Sequence, residues 1–295
     1  MIDRGIRVRA CAKINVDLAV LGTRPDGYHE IRTTFQSIDL HDTLTFLPSP
    51  GPFRIVSTAA GMPETRDNSI WTAATVLWRE AGRVGDPHDV EVRLDKRIPT
   101  QGGLGGGSAD AAAALRVLAL AWGVVPAPGR LDEVAGTIGA DVPFFLHGGV
   151  ARGTGRGDRL ELLDDRRPRF VVLVCPPFGV STVEAYRWFD QRAPDPPGAG
   201  SRGVSNDLEA PVTRRHPDIG TIRAELTEAG ADLAAMSGSG STVFGEFQEE
   251  GPAREAARRL SGGPWRCLLP RTLSRSEWVE RTAPEPLAGF RLSPE

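Results

Sequence analysis

Residues 100–114 read TQGGLGGGSADAAAA, with five glycines in the six positions 102–107 and only Leu104 interrupting them. Glycine at this density costs backbone entropy, so it marks main chain that must come very close to something. A flexible linker would not run straight into the strong helix former at 111–120. Ser108 is placed to cap that helix. Backbone N–H groups and the positive end of the helix then face the loop, which makes an anion site. The expected ligand bears phosphate, a nucleotide first of all. The chain has no Gly-Lys-Ser/Thr and the loop offers no G-x-G-x-x-G frame, so neither a P-loop nor a dinucleotide fingerprint accounts for it.

Composition narrows the classes. The 295 residues suffice for two ordinary domains or one large one. A net charge of −3 does not favour a nucleic-acid partner, and the pairs Arg166-Arg167, Arg214-Arg215 and Arg258-Arg259 read as solvated faces. The first residues carry no apolar stretch of signal-peptide type, and no run has the length of a membrane span. Cys11, Cys175 and Cys267 are widely spaced without C-x-x-C, which suggests neither a disulfide framework nor a zinc site. A reducing cytoplasm is the simple inference. Of 35 Lys plus Arg residues only Lys13 and Lys96 are lysines; Tyr28 and Tyr186 are the two tyrosines, and Asn15, Asn68 and Asn206 the three asparagines. A lysine that survives among arginines ranks as a candidate for a place where a wide planar fork would not serve.

Along the chain, residues 14–21 alternate as a strand, with Ile14, Val16, Leu18 and Val20 on one face and Lys13, Asn15 and Asp17 on the other. That polar face is either solvent-facing or the wall of a site. Arg24-Pro25-Asp26-Gly27 is a turn. Strands are expected at 35–40, 42–47 and 90–94, and helices at 68–80, 109–122 (ending at Gly123) and 131–138. Asp141 lies between Gly139-Ala140 and the apolar run Val142-Pro143-Phe144-Phe145, as a carboxylate at a site rim or as an ordinary turn residue. A strand at 170–175 opens a second unit, 193–203 reads as a surface loop, and the small-residue loop 236–242 precedes a strand at 243–247. The tail after Pro270 carries no clear signal.

With the glycine loop, the strand Ala12-Lys13-Ile14-Asn15 and the late loop Met236-Ser237-Gly238-Ser239-Gly240 in hand, the chain resembles the GHMP kinases. The stretches that carry the likeness are AKINVDLAVLGTRPDGYHEI, RDNSI, IPTQGGLGGGSADAA, IGADVPFFL and MSGSGSTVF, spread over residues 10–245. The DGYHE element sets it beside the branch whose acceptor is a small alcohol carrying a cytidine diphosphate group. The resemblance implies a two-domain α+β fold, with a nucleotide-binding unit over 1–160 and a smaller α+β substrate unit over 161–295. It implies ATP and Mg²⁺, and transfer of the γ-phosphoryl to the 2-hydroxyl of a methylerythritol moiety. By matching position, Lys13 and Asp141 look like the catalytic pair and Asn15 a hydroxyl-positioning residue. Tyr28, His29 and Tyr186 look like cytidyl-binding residues. Asn68 and Lys96 resemble residues at an adenosine pocket, Gly103, Leu104, Gly105, Gly106, Gly107 and Ser108 a phosphate loop, and Ser239 part of the supporting loop. No metal ligands are assigned. Two departures stand out: Ala109 replaces a second hydroxyl often found after the glycines, and Cys11 stands where proline or a small residue is common. Cys11 reads as a packing variant.

Overall fold

The computed structural model describes residues 5–59, 61–191 and 206–287; the surface loop expected at 193–203 lies outside them. The first half builds β1 (Ile6–Thr23), β2 (His29–Pro52), β3 (Arg54–Ser57), α1 (Ser69–Glu80), β4 (His88–Asp95), α2 (Gly106–Trp122), α3 (Arg130–Ile138), α4 (Phe144–His147), β5 (Val150–Thr154) and β6 (Arg159–Leu163). The second builds β7 (Phe170–Cys175), α5 (Thr182–Asp190), α6 (Glu209–Arg215), α7 (Asp218–Glu228), β8 (Leu233–Met236), β9 (Val243–Phe247), α8 (Glu250–Leu260), β10 (Arg266–Leu268), α9 (Arg275–Arg281) and β11 (Glu285–Pro286). One sheet runs β11-β1-β2-β4-β3, with β5 on β2 and β6 on β5; the other runs β10-β7-β9-β8. Pairing is antiparallel except between β3 and β4.

Helix α2 is buried almost all round, which its sequence explains. Seven alanines present little bulk, so α1 and the first sheet close on it from several sides. It ends at Gly123 as expected but begins at Gly106, not at Ala109. Gly105 occupies the cap position without a side-chain hydrogen bond, and Ser108 falls inside the first turn. Ser108 therefore does not cap the helix. Asn68 does cap α1, its Oδ1 accepting from Ile70 N at 2.9 Å.

Strand β1 explains how polar residues come to line an interior. Val8 and Ala10 pack with α1 and α2, whereas Ala12 and Ile14 pack against Val171, Leu173 and Phe244 of the second sheet. The alternation changes face at a register shift between Cys11 and Lys13. Lys13 and Asn15 are thereby turned toward the start of α2, and both are buried. A second shift, between Asn15 and Asp17, hands Asp17 to Thr34, whose N and Oγ1 donate to its carboxylate at 2.7 and 2.9 Å. The three residues thus do not share one face.

The strands expected at 35–40 and 42–47 are one continuous strand, β2. Asp42 sits within it with its carboxylate fully buried, held by Lys96 and by the N–H groups of residues 97 and 98, as described below. The tail after Pro270 also has structure. Thr272 bridges Ile38, α9 carries a capping box at Ser274/Glu277, and β11 returns to β1. Trp278 of α9 packs with Cys11 and Leu273. Burial there pushes the Cys11 thiol up to about 12, which fits a packing role.

The tail docks through a glycine. Gly148 sits at φ 61, and a Cβ there would lie 2.0 Å from Cδ2 of Trp278. Gly148→Ala should destabilise the fold by about 2–5 kcal/mol, combining the left-handed penalty with overpacking. Urea unfolding reads this directly. An unchanged midpoint would mean that Trp278 is not seated on that backbone.

Candidate active site

The two sheets and the start of α2 enclose a cavity of about 1110 Å³. One part of its wall is the glycine loop. Gly105, Gly106, Gly107 and Ser108 line it, and these are the residues whose N–H groups lack partners within the helix. The 17 residues of α2 aim their positive dipole end at the same spot. Ser69 at the start of α1 is tied to this loop, its Oγ donating to Gly107 O at 2.7 Å. Leu104 does not line the cavity. It is buried with Ile14 and Leu173, and its carbonyl accepts from Lys13 N at 3.1 Å. Leu104 thus anchors the loop in the core, contrary to its expected place on the ligand.

Lys13 is 3% exposed. Its Nζ donates to Asn15 Oδ1 at 2.5 Å and to Gly103 O at 2.9 Å, and stands 3.3 Å from Asp141 Oδ2. Three acceptors offset the cost of burying the ammonium. Asn15 Nδ2 in turn donates to Thr33 Oγ1 at 2.7 Å. Asp141, from the loop before α4, keeps its carboxylate partly open to the cavity. The expected pair therefore meets beside the phosphate loop.

The late loop closes on the same point. Ser237 Oγ donates to Gly103 O at 2.9 Å and accepts from Asn15 N at 3.2 Å. Gly103 lies at φ 72, and a Cβ on it would fall 1.9 Å from Ser237 O. Only glycine fits there. Ser237 was not singled out from the sequence, where attention falls on Ser239. Ser239 does line the cavity, with its Oγ 3.2 Å from Thr182 Oγ1 of α5.

At the far end of the cavity Tyr28, His29 and Tyr186 come together. His29 stacks on Tyr186 with centroids 4.6 Å apart at 21°, and its Nε2 pairs with Asp190 at 2.8 Å. Burial pushes the Tyr186 phenol up, and the charge of Asp141 adds to the rise. Tyr28 is 57% exposed. The Arg156 guanidinium lies 5.1 Å from its ring centroid, held by Asp158 at 2.8 Å and Gly136 O at 3.3 Å. Arg156 was missed in the sequence. Its signal is a lone arginine in Gly153-Thr154-Gly155-Arg156-Gly157, a segment that bends back toward the cavity.

Asn68 and Lys96 also line the cavity, but their polar atoms are committed. The Asn68 amide donates to Pro63 O at 2.7 Å while its Oδ1 caps α1. Lys96 Nζ donates to Asp42 and, at 2.8 Å, to Asp110. Asp42 also accepts from Arg97 N and Ile98 N at 2.6 and 2.8 Å. Both residues thus shape the pocket wall. Burial pulls the Lys96 ammonium down, but the Asp110 and Asp42 charges outweigh it and hold it above its ordinary value. Burial pushes the Asp110 carboxyl up to about 7 against the opposing pull of Lys96.

A glycine-lined helix start, a buried lysine beside a partly open aspartate and a supporting loop from the second sheet fit an ATP-dependent kinase of small molecules. The GHMP kinase N-terminal domain matches residues 68–149 and the GHMP kinase C-terminal domain residues 198–264. A 4-diphosphocytidyl-2-C-methyl-D-erythritol kinase from Pelotomaculum thermopropionicum is 42% identical over 91% of this chain and 98% of its own length. One from Moorella thermoacetica is 39% identical over 90% and 98%. A crystal structure of 4-(cytidine 5'-diphospho)-2C-methyl-D-erythritol kinase superposes with a TM-score of 0.74 at 34% identity, covering 90% of this chain and 98% of that one. Homoserine kinase from Cytophaga hutchinsonii shares the fold, with a TM-score of 0.74 at 16% identity, 97% of this chain and 98% of its own being covered. The chain belongs to the GHMP kinases, in the family of the 4-diphosphocytidyl-2-C-methyl-D-erythritol kinases.

The Asp110 carboxyl gives a pH prediction. Its native pKa lies above its unfolded value of about 3.9, so the native state holds the proton more tightly. Between roughly pH 4 and 7 the unfolded chain binds fewer protons than the native one, and stability from this group falls as pH rises. Asp110→Asn should remove that slope, so that wild type loses ground against it from pH 5 to pH 8 in urea titrations. Parallel stability curves for the two proteins would reject the assignment.

Proposed function

We propose that this protein transfers the γ-phosphoryl of ATP to the 2-hydroxyl of 4-diphosphocytidyl-2-C-methyl-D-erythritol, giving the 2-phosphate and ADP. The observation that carries the reading is the Lys13–Asp141 contact of 3.3 Å, set between a phosphate-type loop and an aromatic recess in one cavity. The names of the relatives supply the acceptor. We assign nucleotide binding mainly to residues 1–160 and acceptor binding to 161–295, with Tyr28, His29 and Tyr186 around the cytosine.

Phosphoryl transfer asks for positioning and charge stabilisation. Asp141 accepts the hydroxyl proton as the acceptor oxygen attacks the γ-phosphorus and ADP leaves. Lys13 orients that carboxylate and faces the charge that builds on the transferring group. The N–H groups of 105–108 hold the phosphates. Among the described residues no group of three or more His, Cys, Asp or Glu could hold a metal ion. Mg²⁺ fits such a site, because it keeps its waters and binds through one or two protein oxygens plus substrate phosphates. Ser108 would offer one such oxygen, and the ion would offset charge on the β–γ oxygens. We place the protein in the cytoplasm, on its three free cysteines. Among the described residues no helix is long and apolar enough to cross a membrane.

A ³¹P spectrum after mixing protein, Mg-ATP and the cytidyl acceptor should show ADP and a new phosphomonoester together. Asp141→Asn should lower turnover by about 10²–10⁴-fold while ATP still binds; more than half of wild-type activity would remove Asp141 from the mechanism. Arg156 is placed to meet the acceptor's diphosphate beside Tyr28. Arg156→Met should weaken the cytidyl acceptor by roughly 10- to 150-fold, the loss of one charge-assisted contact, and leave ATP untouched. Equal weakening of both ligands in calorimetry would show that Arg156 only supports the fold.

A further inference from the structure

We propose that Asn206 is a positioning residue of the transfer site, its carboxamide holding the loop 236–240 in register with the strand that carries Lys13 and Asn15. The inference rests on the kinase reading above. Asn206 is one of three asparagines, and the only one with no part in that reading. It is buried just ahead of α6. Its Nδ2 donates to two carbonyls of the loop, Met236 O at 2.8 Å and Gly238 O at 2.6 Å. Its Oδ1 accepts from Leu208 N at 2.9 Å, which fixes the amide's orientation. Between those two carbonyls lies Ser237, which donates to Gly103 O and accepts from Asn15 N. Gly238 itself is so close that a Cβ on it would fall 2.9 Å from Asn15 Oδ1 and 3.5 Å from Lys13 Nζ.

The neighbouring residue ties the same segment to β1. Leu18 bridges Asn206, Asp207 N donates to Leu18 O at 2.9 Å, and Asp207 Oδ2 accepts from Val20 N at 2.8 Å. Asn206-Asp207 is thus a staple. The Asn206 side chain grips the late loop, and the backbone and side chain of Asp207 grip β1 three and five residues beyond Asn15. The loop is referenced to β1 and not only to its own sheet. Misplacement of about 1 Å at a reacting centre costs on the order of 10²-fold in rate, so releasing the loop should show in kcat before it shows in ATP affinity.

The test compares Asn206→Ala, Asn206→Asp and Val212→Ala. Val212 is a fully buried core residue of α6 in the same segment and serves as the stability control. Asn206→Ala should lower kcat by about 10- to 100-fold with the Kd of Mg-ATP within about twofold. Val212→Ala should lower the Tm and keep wild-type kcat below its melting range. In Asn206→Asp the carboxylate faces two carbonyl oxygens, and protonation returns one donor. The ratio of its kcat to wild type should therefore rise as pH falls. Asp207 and Glu209, the charged groups beside it, are present in both proteins and cancel in that ratio. Wild-type kcat in Asn206→Ala, or a pH-independent ratio for Asn206→Asp, overturns the proposal. Amide exchange decides independently of activity. Asn206→Ala should speed exchange both at 236–242 and at Val20, and unchanged exchange at either place overturns the staple. Absence of wild-type turnover on the cytidyl acceptor would instead count against the kinase reading, with the exchange result still deciding the role of Asn206.

Discussion

The carbonyl of Gly103 is the point on which the site depends. It accepts from Lys13 Nζ and from Ser237 Oγ, each at 2.9 Å. Three distant stretches of chain therefore meet at one oxygen: the first strand, the phosphate loop and the loop between β8 and β9. Carbonyl oxygens have two lone pairs, so one acceptor can serve both donors without leaving either unsatisfied. The approach is possible because residue 103 has no side chain to strike Ser237 O. The density of glycine in this loop thus serves two close approaches, one to a ligand and one to the rest of the protein.

A second buried cluster holds that loop from behind. Lys96 joins Asp42 of β2 to Asp110 of α2, and Asp42 also takes the N–H groups of residues 97 and 98. One cation between two buried carboxylates leaves the cluster short of positive charge, and one Asp110 oxygen has no partner. Burial of that kind favours a proton on Asp110. The cluster fixes where α2 begins relative to β2, and with it the direction of the helix dipole at the phosphate loop.

Much of this was legible from residue order. The glycine loop, its run into an alanine helix, the stop at Gly123 and the helix that begins beside Asn68 are all local, and local chemistry decides them. Lys13 and Asp141 were found through rarity, position and resemblance. What the order of residues did not reveal depends on partners far away in sequence. The change of face between Cys11 and Lys13 arises from pairing with β2, and simple alternation cannot announce it. The role of Asp42 inside β2 is visible only once Lys96, 54 residues on, is placed beside it. The cap at Ser108 failed because the helix starts at Gly106. Ser237 matters through contacts 134 and 222 residues away, Asn206 through carbonyls 30 and 32 residues on, and Arg156 through the ring of Tyr28 far back in the chain. Glycines lie beside Ser237 and Arg156, and nothing near Asn206 in sequence distinguishes it.

The two members of the Lys13–Asp141 pair are not equivalent, and the difference suits the chemistry. Lys13 is enclosed and Asp141 is a third open, 3% against 33%. A buried cation left alone by its partner is strongly unfavourable. Lys13 escapes that, because Asn15 and Gly103 hold it independently of Asp141. In the proposed transfer the carboxylate is then free to engage the acceptor while the charge beside it stays in place. The site also shows why this position is lysine in a chain whose cations are otherwise nearly all arginine. A Cβ at Gly105 would lie 3.1 Å from Lys13 Cε, so the glycine there lets the lysine stem pass close to the loop. An ammonium meets three acceptors arranged around one point, which the fixed planar fork of a guanidinium matches less well.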